Sequence, residues 1–277
     1  MSEIPHIVHQ LWKDERVPAR WEAAVRSVRR YHAGWEYRLW TDAAIDDYVR
    51  RRHADFHATF RAFERPIMRA DVFRYILMHD VGGLYCDLDY EFLRPFDYSG
   101  AEIVLSLERA VRFGDDADMI ANYVLASAPG HGFWRDVLRE LSTQQPRIRT
   151  YDDVGGATGP GLLTRIFFAH RTEYSGIKLT DPPVLSPRRV HGRRERKFYL
   201  NTGITYGFHH GGAAGASALR GPTCRASSPS GSDAVRRGRR RASPQRKRAA
   251  QSANRCADAL AQRFELAHEP KRRRVAA

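Results

Sequence analysis

Cysteine is scarce in this chain. There are three, Cys86, Cys224 and Cys256, and no two form a CxxC pair. An odd, unspaced set excludes a disulfide framework and fits a reducing compartment. Long apolar runs are missing as well: no stretch reaches the roughly 18 residues that a membrane-crossing helix needs. The opening Met-Ser-Glu-Ile-Pro-His lacks the basic and apolar regions of a signal peptide. These absences lead us to expect a cytoplasmic chain that can sit peripherally at the inner membrane surface.

Acidic residues are few in one region only. The net charge of +14 suggests a nucleic-acid binder at first sight. Residues 211–277 hold 16 of the 46 Lys and Arg but only 4 of the 32 Asp and Glu. That leaves 30 basic and 28 acidic residues in 1–210, a nearly neutral body. The tail also holds a single aromatic, Phe264, so it cannot bury enough apolar surface to offset its ordering entropy. We therefore expect a globular domain over 1–210 and a basic, disordered, low-complexity tail over 211–277, and a nucleic-acid partner is not expected. The abrupt Arg/Ala/Ser/Pro/Gly mixture is also what an out-of-frame reading of GC-rich DNA yields. Translating the other two frames downstream of His210 checks that reading.

Within the body, strands and helices alternate. IPHIVHQLW at 4–12 and WEYRLW at 35–40 read as strands. Thr41 or Asp42 can cap a helix to about Arg52. A helix over 66–81 has Pro66 in its first turn and an apolar face of Ala70, Phe73, Ile76 and Leu77, and Gly82-Gly83 stops it. A strand over 84–89 follows, then one at 101–107, helices at 132–143 and from Pro160 to about His170, and strands at 177–180 and 198–206. This order predicts an α/β fold with a mainly parallel sheet.

The strand read at 84–89 carries the most chemistry. Period-two alternation puts Tyr85, Asp87 and Asp89 on one face, with the two carboxylates about 7 Å apart at the backbone. Hard oxygen ligands of this kind suit Mg²⁺ or Mn²⁺. Taken alone, Asp-x-Asp also fits a solvated strand end. Asp71 and Arg74, three apart on the preceding helix, share a face: they form either a surface ion pair or part of the same cleft. His53 and His57 are spaced i,i+4 but lack a third ligand, so a zinc site is rejected.

The segment RADVFRYILMHDVGGLYCDLDYEFLRPFD resembles the DXD-containing sugar transferases of glycosyltransferase family 32. That family includes yeast initiating mannosyltransferases and bacterial capsular-polysaccharide enzymes, and the glucosylating clostridial toxins share a similar core. IPHIVHQLW looks like the family's opening strand. The resemblance implies a GT-A nucleotide-diphospho-sugar transferase fold, a Rossmann-like mixed sheet flanked by helices. It also implies a UDP- or GDP-hexose donor, Mn²⁺ or Mg²⁺, and retention of configuration. Matched positions would place Trp12 on the nucleobase and Asp71, Arg74, Tyr85, Asp87 and Asn122 around the donor. Asp89 and Asp87 would hold the metal with His209 or His210. Asp87, Asp89 and Arg74 would be the catalytic residues. Thr158-Gly159-Pro160 would shape an acceptor pocket. His131 is expected to cap the helix that follows it.

The match breaks after His209-His210. The family continues into a Ser-Trp run that closes over the diphosphate, whereas this chain reads Gly211-Gly212-Ala213. The expected activity is metal-dependent hexosyl transfer to a glycan or lipid-linked saccharide, as in polysaccharide biosynthesis. Two alternatives stand beside it. One is a donor-binding transferase weakened by loss of that lid. The other is a nucleic-acid or membrane binder acting through the tail.

Overall fold

The structure is a computed structural model, and residues 2–109, 118–143, 148–187 and 193–211 are described. The expectations for the tail, Gly211 aside, lie outside the described residues.

The first strand, β1 (Ile7–Leu11), pairs in parallel with β2 (Glu36–Trp40) on one side and β3 (Gly83–Cys86) on the other. Between them run α1 (Glu22–Tyr31), α2 (Asp42–Arg52), α3 (Ala54–Ala62) and α4 (Pro66–Asp80). Thr41 caps α2, its hydroxyl accepting from Ala44 N at 3.2 Å. β4 (Tyr90–Phe92) follows β3, then come β5 (Ile103–Arg109), β6 (Asp118–Ile120) and β7 (Val124–Ser127). β7 inserts antiparallel between β3 and β5, giving the order β2-β1-β3-β7-β5-β6. β8 (Ile177–Thr180) pairs in parallel with the first half of β5. The fold is α/β and the sheet is mixed: parallel around β1, antiparallel around β7.

Helices α5 (Gly132–Thr143), α6 (Tyr151–Ala157) and α7 (Pro160–His170) cover one face with α4. His131 caps α5, its Nδ1 accepting from Phe133 N at 3.1 Å. The predicted single apolar face of α4 understates its burial. Met68 and every residue from Asp71 to Met78 are buried. This is the central helix, enclosed all round. Gly82 ends it with φ +69°, its N–H donating to Leu77 O at 2.9 Å. A Cβ on Gly82 would lie 2.5 Å from Ser127 O, and one on Gly83 2.5 Å from Ile7 O. The glycine pair is therefore needed for contact as well as for conformation.

Two expected strands change. The strand read at 84–89 stops at Cys86. Asp87 O accepts from Tyr90 N at 3.0 Å, so the chain turns and both aspartates sit in a turn, where strand alternation no longer applies. The strand read at 198–206 is mostly helix: after the short α8 (Pro182–Leu185), α9 (Arg193–Thr202) runs into Gly203 at φ +73°. The strand comes later, as β9 (Gly207–His209), and pairs antiparallel with β4.

Candidate active site

β1 and β3 end at one edge of the sheet, and β7 begins there, with Val124 opposite Cys86. Ligands of open α/β sheets gather at such strand ends. Four segments converge on it: the middle of α4, the turn after β3, the loop before β7, and β9.

The interior part is built on α4. Asp71 and Arg74 are each 3% exposed. Asp71 Oδ1 accepts from Asn122 Nδ2 at 3.0 Å and pairs with Arg74 Nη2 at 3.2 Å. Asp71 Oδ2 accepts from the Thr158 hydroxyl at 3.0 Å. Burial pushes the Asp71 carboxyl up, to about 7, while Arg74 and the Thr158 and Asn122 donors pull it down. Arg74 Nη1 donates to Asn122 O at 2.7 Å and reaches Asp87 Oδ1 at 3.2 Å. Its guanidinium lies 4.6 Å from the Tyr85 ring centre. Burial opposes the charge on Arg74, but Tyr85, Asp87 and Asp71 outweigh it and hold the guanidinium protonated. The Tyr85 hydroxyl donates to Asp87 Oδ1, so Asp87 is gripped from two sides.

The outer part is a triad. Asp87, Asp89 and His209 each offer a ligand atom, all within 4.8 Å of one another. His209 Nε2 lies 2.9 Å from Asp89 Oδ1 and 3.7 Å from Asp87 Oδ2. β4–β9 pairing places Tyr90 opposite His209 and so brings the imidazole over the turn. The Tyr123 ring stacks on it at 4.3 Å and 9°. Burial lowers the His209 pKa, but its hydrogen bond to Asp89 and the charges of Asp89 and Asp87 prevail and raise it. Two carboxylates and an imidazole fit a divalent cation of the Mn²⁺ or Mg²⁺ kind, with the nitrogen favouring Mn²⁺.

The other expected residues fall as follows. His210 turns away from the triad: its Nε2 meets Glu91 Oε2 at 3.0 Å, and its N–H donates to Asp89 O at 2.9 Å. Trp12 packs with Trp21, Val25 and Leu88, the residue between the two aspartates, and its buried Nε1 has no hydrogen-bond partner among the described residues. Asn122 is spent on Asp71 and Arg74. His53 and His57 bond to Asp80 and Asp46. Two residues escaped the sequence reading, Gln10 and Tyr123. Thr158, expected to shape an acceptor pocket, is buried and bonds to Asp71 instead. Gln10 donates to Asp87 O at 3.2 Å and accepts from the Tyr37 hydroxyl at 2.8 Å. A glutamine among Ile7, Val8 and Leu11 in β1 was the available signal for Gln10.

A cavity of about 600 Å³ lies at the other end of α4, lined by residues including Arg52, His53, His79 and Asp80. Asp80 there is satisfied by His53 at 2.6 Å, His79 at 2.9 Å and Tyr48 at 3.1 Å. We place the chemistry at the carboxylate turn, where the ligand atoms converge.

Residues 18–105 match a family model described as a glycosyltransferase sugar-binding region containing a DXD motif. The family resemblance read from the central segment holds. Inositol phosphoceramide mannosyltransferase 1 of Schizosaccharomyces pombe is 33% identical over 173 residues, covering 60% of this chain and 52% of its own length. Mannosyl phosphorylinositol ceramide synthase CSH1 of Saccharomyces cerevisiae is 28% identical, over 65% of this chain and 48% of its own length. This chain thus spans about half the length of these relatives. Among solved structures, the ligand-free glycosyltransferase domain of the YGT toxin aligns with a TM-score of 0.45 at 8% identity, over 65% of this chain and 80% of that domain.

Proposed function

We propose that this chain, whose residues 18–105 match a DXD-type glycosyltransferase sugar-binding region, is a metal-dependent hexosyltransferase. The donor is a UDP- or GDP-hexose, and the names of the relatives favour mannose. The acceptor is a hydroxyl of a glycan or lipid-linked saccharide, and transfer retains configuration. The setting is cytoplasmic, at the inner membrane surface. One observation carries this reading: Asp87, Asp89 and His209 converge beside a buried, charged Arg74.

Asp87, Asp89 and His209 would hold Mn²⁺ or Mg²⁺, which when bound would neutralise the departing nucleoside diphosphate. Every other role belongs to the chain itself. Tyr85 and Arg74 fix the rotamer of Asp87, and Gln10 fixes its backbone. Arg74, only 4% exposed at its side chain, acts through this grip and through its field on the leaving-group side. Asp71 braces Arg74. Three donors hold its buried carboxylate, which favours a positioning role over the expected contact with sugar hydroxyls. Tyr123 sets the His209 ring plane. The half-buried indole of Trp12 is left as the base platform.

The test is donor hydrolysis and transfer with Mn²⁺, comparing the parent with Asp89→Ala. Turnover should fall by roughly 10³-fold, and undiminished metal-dependent turnover in the variant would sink the assignment. Calorimetry separates the second reading, which the missing Ser-Trp run after His210 favours: tight Mn²⁺-dependent donor binding without turnover in the parent marks a transferase lacking its closure.

A further inference from the structure

Among the described residues, the large apolar side chains that stand exposed all fall in one short stretch. Phe198 is 63% exposed, Leu200 36% and Ile204 56%. Phe198 and Leu200 lie in the second half of α9, and Ile204 lies just past its end. This segment is held firmly. Arg94 Nη1 donates to Gly203 O at 2.8 Å and Nη2 to Leu200 O at 3.1 Å. Thr205 donates to Pro183 O at 2.7 Å, and Tyr206 N to Val184 O at 2.8 Å. The exposed groups therefore sit on an anchored backbone, where their cost in water is not relieved by collapse onto the core.

The sequence just before them is strongly basic. Residues 188–197 read Arg-Arg-Val-His-Gly-Arg-Arg-Glu-Arg-Lys, six cations against one acid. Exposed apolar groups next to a cationic run are the composition of a segment that lies in a lipid interface. The apolar groups enter the acyl boundary and the cations meet anionic headgroups, each contributing about fivefold in partitioning. Charge complementarity separates this partner from a second copy of the chain, whose own basic run would repel.

We propose that the end of α9, with Phe198, Leu200 and Ile204, is a docking element for a bilayer bearing anionic lipid. Ile204 precedes His209 by five residues, at most about 18 Å of extended chain. Docking there would bring the cleft to the surface where a lipid-linked acceptor sits. This inference rests on the lipid-linked acceptor proposed above, but it is read out separately.

The experiment is co-sedimentation of the full chain with phosphatidylcholine vesicles, with and without phosphatidylserine. The comparison is with a triple variant, Phe198→Ser, Leu200→Ser and Ile204→Ser. This variant keeps every charge, including those of the basic tail. The parent should bind the anionic vesicles at least tenfold better than the triple variant, with metal-dependent donor hydrolysis in solution equal for both. Lys197→Glu, at an exposed position, should weaken anionic binding at least about fivefold without touching the apolar groups. Equal vesicle binding by parent and triple variant would assign the membrane to charge alone and overturn the proposal. So would a parent that ignores anionic vesicles, or a parent dimer that the triple variant converts to monomer in the absence of lipid. Lost hydrolysis in the parent would count against the transferase reading, whatever the vesicles show.

Discussion

The two acidic groups of the cleft, Asp71 on α4 and the Asp87–Asp89 turn, sit side by side and are treated in opposite ways. Asp71 is wholly interior, and donors from Asn122, Arg74 and Thr158 occupy both its oxygens. Asp87 and Asp89 are drawn toward each other and share His209, whose imidazole offers a further ligand atom. A carboxylate surrounded by donors is a fastener. Two carboxylates and an imidazole brought together leave negative charge for a cation to meet. The site thus sets a braced interior carboxylate beside a pair that the proposed function gives to a cation, and Asp87 is the most open of the three carboxylates, 27% exposed at its side chain.

The sharpest way to break this contrast is to remove one member of each set. Asp71→Ala takes one of its two carboxylate partners from the buried Arg74 and an acceptor from Asn122 and Thr158, and should cost about 3 kcal/mol of stability, lowering the melting temperature by about 10 °C. Asp89→Asn should change stability by no more than about 1 kcal/mol, because relief of repulsion from Asp87 offsets the lost bond to His209. Equal melting temperatures for the two variants would erase the distinction.

Acid should act on the buried histidines in one sense and on the raised Asp71 carboxyl in the other. His9 is fully buried, with Nδ1 accepting from the Trp40 indole at 3.1 Å and Nε2 donating to Gly82 O at 2.9 Å. Burial, above all, lowers its pKa from 6.5 to about 4. The unfolded chain therefore binds a proton that the fold refuses, and stability present above about pH 6.5 is lost as pH falls toward 4. The loss amounts to about 3 kcal/mol from this group. Burial shifts His32 the same way. Asp71, raised to about 7, acts oppositely over the same range, so denaturant titrations compare the parent with His9→Gln. A variant that loses as much stability on acidification as the parent would contradict the assignment to His9.

The smallest effect tests the brace one bond at a time. Thr158→Val keeps the volume but leaves Asp71 Oδ2 without its donor, at a cost of about 1–2 kcal/mol. Donor affinity should be unchanged. A large rise in the donor KM would show that Asp71 or Thr158 meets the ligand directly.

Much of this was readable where local signals agree. The helix at 66–81 was found because Pro66 opens it and Gly82-Gly83 closes it, and Asp71 and Arg74 followed from their i,i+3 spacing. The aspartates were found, but their geometry was misread. Alternation gives no warning that Cys86 is the last strand residue, because the turn is set by a bond from Tyr90 N to Asp87 O. The segment 198–206 looked like a strand from its apolar residues. Yet the Arg, Glu, Lys and Leu of α9 are good helix formers, and Gly203 gives a ready stop. Partners distant in sequence were out of reach: nothing local links Thr158 to Asp71, Tyr123 to His209 or Gln10 to Asp87.

The β4–β9 pairing also fixes when the site can exist. Asp87 and Asp89 emerge early from the ribosome. His209 comes far later, and the neighbouring His210–Glu91 contact spans 119 residues. α4 and β3 can form from the first part of the chain, and the Asp71 brace can be completed once Thr158 has followed. The triad cannot, because its third ligand closes a long loop. During synthesis the nascent protein would therefore hold its scaffold while the proposed cation site is still incomplete. Metal uptake becomes an end-point signal of folding, so the rate at which Mn²⁺ binding appears on refolding reports the docking of one three-residue strand.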